Sequence, residues 1–388
     1  MAPEDDDIFD AVGEIDENDL SIGSRDFQEL VVAPTDWTIS VLVDLLKRKK
    51  IDLQPNYQRR VAWTPDKMSK FIESLFLRLP VPQVVLAETS PGNFAVIDGK
   101  QRLNSIARFC VDRDEPLRLA HCDYRHDLNG MTYHDMLKRP EYEPAVDAFQ
   151  SHTVRTIVIK NWGSNELIYL LFLRLNQNSV PLSPQELRRA LFPGDFMNWL
   201  DEKTATSPGM KFLFSKVPDF RMRDMEVAIR YLAFGLFGEQ YRGNLKLFLD
   251  KVTREFTTNW KSVSSDLDAI WERYERSIKT TALIFGDDAF KVWQNDRYQN
   301  TKNRTVMDIM TYYFSDMNVA HAAVEKAEDV SNSFIEVCED FPDFLRALQT
   351  STKTEQATNL RFHVWGDCLR RVLNIDVPRF PTSIIQFA

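Results

Sequence analysis

The sequence predicts an α+β protein in which a small α/β domain is followed by an all-helical one. Three observations carry that prediction. Between about residues 36 and 195, short β-type runs alternate with amphipathic helical stripes. Beyond about residue 195, apolar residues recur at helical spacing and no strand pattern stands out. The chain has 388 residues, 44% hydrophobic and 27% charged, an ordinary globular composition with length enough for two or three domains.

The first element is a charged arm. Residues 1–29 hold eleven acids against one base, Arg25. The chain as a whole has 48 basic and 57 acidic residues, a net −9, so the remainder carries 47 basic and 46 acidic. Residues 1–34 are therefore expected to form a mostly disordered acidic arm, because such a charge block cannot collapse on itself. Its apolar pairs Ile8-Phe9 and Val31-Val32 are candidates for docking. A body near neutrality argues against bulk coating of DNA and leaves room for local basic patches.

Other classes fall on similar grounds. The N-terminus lacks the basic region and apolar core of a signal peptide. The longest apolar run, Leu167 to Leu173, is far short of the roughly 18 residues of a membrane helix. Cys110, Cys122, Cys338 and Cys368 form no Cys-x-x-Cys pair, so neither a disulfide framework nor a zinc ribbon is indicated. A cytoplasmic location with no membrane partner is expected.

From Asp36 the elements follow in order. Ile39 to Lys47 reads as a short amphipathic helix ending in a basic run that suits a helix C-terminus. Ile51 to Leu53 is strand-like. Thr64 as N-cap and Pro65 at the first helical position open a helix with Met68, Phe71, Ile72, Leu75, Phe76 and Leu79 at helical spacing, stopped by Pro80 and Pro82. Val84 to Leu86 and Phe94 to Ile97 read as strands joined by a Ser-Pro-Gly-Asn turn. A helix follows from Lys100 to Cys110. Asn129-Gly130 predicts a β-hairpin, and Val154 to Ile159 another strand. Asn165 to Leu175 reads as a helix, and Ser183-Pro-Gln-Glu186 opens the next with a capping box. Helical stripes then recur at Met225–Phe237, Leu245–Phe256, Leu267–Phe285, Val306–Phe314 and Leu360–Leu373. The domains so drawn are 35–195 and 196–388.

Chemistry concentrates between Ile51 and Phe109. A strand running through Asp98-Gly99 into a helix N-terminus makes an anion site, because the first helical N–H groups are free and the dipole is positive there. Gly99 lets a phosphate approach the backbone, Lys100 and Arg102 add charge, and Asp98 is a candidate ligand for Mg²⁺. The same letters are also common turn chemistry, with Asp98 an N-cap, Gly99 a turn residue and Arg102 a surface base.

Taken in order, these segments resemble the N-terminal domain of the GmrSD-type restriction proteins, a branch of the ParB/sulfiredoxin-like fold. The resemblance rests on Pro55, Tyr57, Gln58 and Arg59, then Trp63, then Pro80 and Pro82, then Asp98 to Arg102. It continues in Phe172, Arg174 and Asn176, in Val180 to Arg188, and in Arg221 to Phe234, covering roughly residues 36–240. Lys100 departs from the family pattern, which has glutamine there; it keeps a polar donor and adds charge. The resemblance implies an NTP-binding and NTP-hydrolysing module that licenses a nuclease in bacterial defence. It makes Gln58, Arg59, Asp98, Gly99, Lys100, Gln101, Arg102 and Asn176 the nucleotide site, with Asp98, Arg102 and Arg59 catalytic and Mg²⁺ near Asp98. Arg174 and Arg188 are further contributors, although an arginine paired with Glu186 would equally tie two helices together. No HNH nuclease pattern is legible. The letters His126, Asn129 and His134 lie too close together for one, and His121, Cys122 and His126 lack a second ligand pair for zinc. The implied partners are a separately encoded nuclease, DNA directly or through it, and a second copy of the chain. Two rival readings stay open: a non-catalytic DNA- or partner-binding scaffold that uses the nucleotide only as a sensor, and a direct nuclease using the same pocket.

Overall fold

The computed structural model describes residues 27–53, 63–162, 164–175, 183–350 and 353–383. The chain divides into two compact units that part between Leu191 and Phe192. Most of the arm's residues, and the Tyr57 to Arg59 and Asn176 to Leu182 segments, lie outside the described residues.

The first unit is built on a mixed five-stranded sheet of order β1-β5-β3-β4-β2. Its strands are β1 (Val31–Thr38), β2 (Ile51–Asp52), β3 (Val84–Ser90), β4 (Asn93–Asp98) and β5 (Thr153–Lys160). β1 runs antiparallel to β5 and β3 antiparallel to β4, whereas β5 with β3 and β4 with β2 are parallel. Among the described residues seven α-helices accompany it: α1 (Ile39–Lys47), α2 (Pro65–Phe76), α3 (Lys100–Cys110), α4 (Tyr133–Leu137), α5 (Glu143–Ser151), α6 (Asn165–Leu175) and α7 (Pro184–Leu191). The core collects Leu42 and Leu46 of α1, Ile72, Leu75 and Phe76 of α2, Leu103, Ile106 and Phe109 of α3, and Val84, Leu86, Val96 and Val158 of the sheet. Phe149 of α5 stacks on Phe76 with ring centroids 4.5 Å apart, a favourable offset arrangement. Thr64 caps α2 as expected, its Oγ1 accepting the Lys67 N–H.

Three expectations need correction. The ordered sheet begins at Val31, inside the stretch expected to be arm, because Val31 to Pro34 find partners in Lys160 to Ile157. Asn129-Gly130 makes a tight turn but no β-hairpin. Asn129 is extended (φ −60, ψ 132) and only Gly130 has positive φ, at 80°, whereas the tight hairpin turn needs positive φ at both. A neighbouring loop is held instead by Glu73 of α2, which accepts the N–H groups of Asp123, Tyr124 and Arg125 at 3.0, 2.7 and 2.7 Å.

The second unit is mostly, not entirely, helical. Its helices are α8 (Asp195–Thr206), α9 (Pro208–Leu213), α10 (Arg223–Phe237), α11 (Leu245–Thr258), α12 (Trp260–Phe285), α13 (Arg304–Phe314), α14 (Met317–Glu325), α15 (Ala327–Asp340), α16 (Pro342–Gln349) and α17 (Glu355–Leu373). Between α12 and α13 the chain forms the hairpin β6 (Lys291–Gln294) and β7 (Arg297–Lys302). Its turn, Asn295-Asp296, has φ of 54° and 59°, and Trp293 packs on Tyr298 across the strands at 5.0 Å. The third correction is therefore to the all-helical prediction. With Asn-Asp at the turn and only two aromatics across it, this hairpin lacks the usual glycine signal. At the centre of the unit, Asp308 of α13 accepts Arg230 Nε and Nη2 of α10 at 2.9 and 2.6 Å, and both side chains are buried.

Candidate functional site

β4 delivers Asp98 at its end, and Gly99 turns the chain into α3. Gly99 is the N-cap with φ +94°, a left-handed conformation that glycine takes without a Cβ penalty. Space demands glycine there as well, since a Cβ would lie 3.0 Å from Val84 Cγ2 and 3.1 Å from Arg102 Nη2. One face of α3, with Leu103, Ile106, Ala107 and Phe109, is buried, and that burial anchors the first turn.

The carboxylate of Asp98 organises the turn. Its Oδ1 accepts the Gly99 N–H at 2.7 Å, and its Oδ2 accepts Arg102 Nη2 at 2.8 Å. Arg102 is only 12% exposed and Asp98 26%, so the ion pair is more shielded than a surface pair and worth correspondingly more. Gln101 faces another way, its Oε1 accepting the Trp63 N–H at 3.4 Å. That contact fixes the chain just after the Tyr57 to Arg59 segment. Trp63 itself is held edge-on to Phe71 and under the Lys67 ammonium.

Lys100 does not stand beside Arg102 as a second exposed cation. Its side chain is 6% exposed, and its Nζ lies 2.6 Å from Oε1 of Glu186, itself 5% exposed. Glu186 is the third helical residue of α7, and it closes the expected capping box: Oε2 accepts the Ser183 N–H, while Ser183 Oγ accepts the Glu186 N–H. The predicted ion pair at Glu186 is thus met by a lysine 86 positions earlier, which ties the first turn of α3 to the first turn of α7. Arg188 is fully buried and donates to Gln185 Oε1 at 2.7 Å, and Arg174 lies in the last turn of α6. Gln58, Arg59 and Asn176 fall outside the described residues.

One residue missed from sequence belongs to this neighbourhood. Asn104, one turn beyond Lys100, is 0% exposed, and neither its amide nitrogen nor its amide oxygen has a hydrogen-bond partner among the described residues. A buried amide left so is costly and marks the inner side of the α3 first turns as polar. The available signal was an asparagine amid the apolar spacing of α3. Glu73, also unremarked in the sequence, serves elsewhere, on the Asp123 to Arg125 loop, and shows only as an acid inside the buried stripe of α2.

Chemically, the turn combines one well-oriented guanidinium, a helix N-terminus and a glycine cap, groups of a kind that suit an anion. Asp98 spends both oxygens on Arg102 and Gly99, which suits it to aiming the arginine more than to ligating an ion directly. Among the described residues no three His, Cys, Asp or Glu side chains gather as metal ligands do.

No helix among the described residues is long and apolar enough to cross a membrane. No curated protein and no solved structure matches the chain. Residues 42–193 match the family described as the GmrSD restriction endonuclease, N-terminal domain. That span starts within α1, takes in the whole Asp98 to Arg102 cradle and its Glu186 tie, and ends just past α7, short of the Arg221 to Phe234 stretch. Over residues 42–193, which enclose the Asp98 to Arg102 turn, the chain is similar to the N-terminal domain of the GmrSD restriction endonucleases.

Proposed function

We propose that the protein is an NTP-binding and NTP-hydrolysing regulatory component of a bacterial restriction and defence system, licensing a nuclease encoded separately. The observation that supports it most is the Arg102 guanidinium held by Asp98 at the start of α3. The N-terminal N–H groups of α3 and Arg102 would take the phosphates, since an arginine fork and a helix N-terminus both favour tetrahedral oxyanions. Gln58, Arg59 and Asn176 would add further contacts to the nucleotide. As charge develops on the terminal phosphate, a preoriented Arg102 stabilises it without reorganisation. Asp98 acts as the positioning carboxylate. Magnesium would arrive as the nucleotide complex, bound mainly through phosphate oxygens, since the Asp98 carboxylate is committed to protein donors.

A non-hydrolytic sensor is the second reading, and it has a specific observation in its favour. Both oxygens of Asp98 carry hydrogen bonds, which leaves it poorly placed to activate a water as general base. Purified protein with labelled nucleotides separates the readings. Turnover that disappears in Arg102→Ala supports hydrolysis. Saturable binding without turnover supports the sensor. Plasmid cleavage by the protein alone would replace both with a direct nuclease. Co-purification from the native host, with and without residues 2–29, tests whether a nuclease partner docks through the acidic arm; its contribution should fade with salt.

A further inference from the structure

The second unit contains a small polar cavity that the nucleotide reading does not use. Its volume is about 240 Å³, and it is lined by Tyr313, His363, Gly366, Asp367, Arg370 and Arg379. His363, Gly366, Asp367 and Arg370 follow one another at i, i+3, i+4 and i+7 of α17, so they form a single stripe of that helix. The chain after α17 is strapped to the same stripe. Arg370 Nη2 donates to the Val377 carbonyl at 3.2 Å, and His363 Nε2 donates to the Phe380 carbonyl at 2.8 Å. Arg379 lies between these two anchors in sequence and joins the lining. The wall behind is Tyr313, whose hydroxyl donates to the Phe362 carbonyl at 2.7 Å. Only glycine at 366 leaves room for it, because a Cβ there would collide with the Tyr313 hydroxyl.

The donors of this cavity exceed its acceptors. Arg370 is ion-paired with Asp367, yet its Nε is buried with no hydrogen-bond partner among the described residues. Arg379 makes no side-chain hydrogen bond or ion pair among the described residues. Two guanidinium groups against one carboxylate leave a net charge of about +1. At this volume the cavity is smaller than the roughly 300–1,000 Å³ of sites that enclose a whole organic ligand. It fits a single compact anion.

We infer that the cavity is a phosphate-binding site, separate from the Asp98 to Arg102 cradle, that takes one tetrahedral phosphate group between Arg370 and Arg379. That group is either a backbone phosphodiester of nucleic acid or a free phosphate. In both cases the guanidinium forks donate to its oxygens, and Asp367 restrains affinity by like-charge repulsion and by holding Arg370.

The test uses the full chain and inorganic phosphate, titrated by calorimetry. Saturable binding should weaken about ten- to a hundredfold in Arg379→Ala, the cost of a lost charge-assisted contact. It should tighten several-fold in Asp367→Asn, an exposed position where folding is safe, and it should persist in Arg102→Ala. A labelled DNA duplex at low salt identifies the source. If duplex affinity falls in Arg379→Ala and the salt slope drops by about one contact, the phosphodiester is the ligand. If only inorganic phosphate is lost, the ligand is free phosphate. No saturable heat in the wild-type protein, or equal binding in wild type, Arg379→Ala and Asp367→Asn, would overturn the assignment.

Discussion

Replacing Lys100 with methionine should destabilise the first unit without touching its hydrophobic core. The Lys100 and Glu186 side chains are 6% and 5% exposed and 2.6 Å apart. Removing one member of such a buried pair typically costs about 3–5 kcal/mol, because the remaining charge stays desolvated. Glu186 keeps its bond from the Ser183 N–H at 2.7 Å, so the lower end applies, about 3 kcal/mol. Against a total stability of about 5–15 kcal/mol for a domain, that is a large share. At about 2–4 °C per kcal/mol for a unit of this size, the melting temperature should fall by about 6–12 °C. Differential scanning calorimetry of the full chain reads the shift, and only the transition of the first unit should move. The double variant Lys100→Met/Glu186→Leu removes the stranded charge and should recover most of the loss, since an apolar pair of similar volume is often as stable as the ion pair. A single-variant shift below about 2 °C, or a double variant as unstable as the two single losses added together, would refute the view that this pair locks α3 to α7.

Three further outcomes are expected. Arg102→Ala should weaken nucleotide binding about ten- to a hundredfold while the protein stays folded; an unchanged titration would remove Arg102 from the site. Gly99→Ala must hold a Cβ at φ +94° within 3.1 Å of Arg102 Nη2, so it should cost about 1–2 kcal/mol and reduce nucleotide affinity together with stability, as paired melting and binding curves would show. Glu73 concerns pH. Burial pushes its carboxyl up, but the N–H groups of Arg125, Tyr124 and Asp123 more than offset this, and its pKa lies below the ordinary 4.5. A depressed folded pKa means stability that is complete above the ordinary value and lost as pH falls through the lowered one. Glu73→Gln should therefore lower the unfolding free energy near neutrality by about 1–3 kcal/mol and flatten its decline on acidification; an acid limb as steep as wild type would count against it.

Local signals on the chain were enough to place most of the first unit. Thr64-Pro65, Asp98-Gly99 and the Ser183 to Glu186 box are cap and turn chemistry, decided by atoms within a few residues of one another, and the structure puts helices where they point. The family resemblance was legible for the same reason: its motifs are short and follow in order, and residues 42–193 bear it out. The hairpin of β6 and β7 escaped because its pairing is carried by Trp293 on Tyr298 and an Asn-Asp turn, a weak signal amid helices. β1 escaped because Val31 to Pro34 are edge residues whose order comes from β5, more than a hundred positions later.

Which charges of the cradle remain presentable was beyond the sequence. Lys100 and Arg102 are two cations two positions apart, and nothing local distinguishes them. On α3 they point about 200° apart around the axis. Arg102 is held at the cap by Asp98, while Lys100 is drawn inward to Glu186. The sequence by itself determined that a strand, a glycine turn and a helix would bring charge to one point, because those are local preferences of the backbone. Only the tertiary structure decided which of those charges is spent on holding the fold, because burial, and the partner that makes burial of a charge tolerable, arrive from distant parts of the chain.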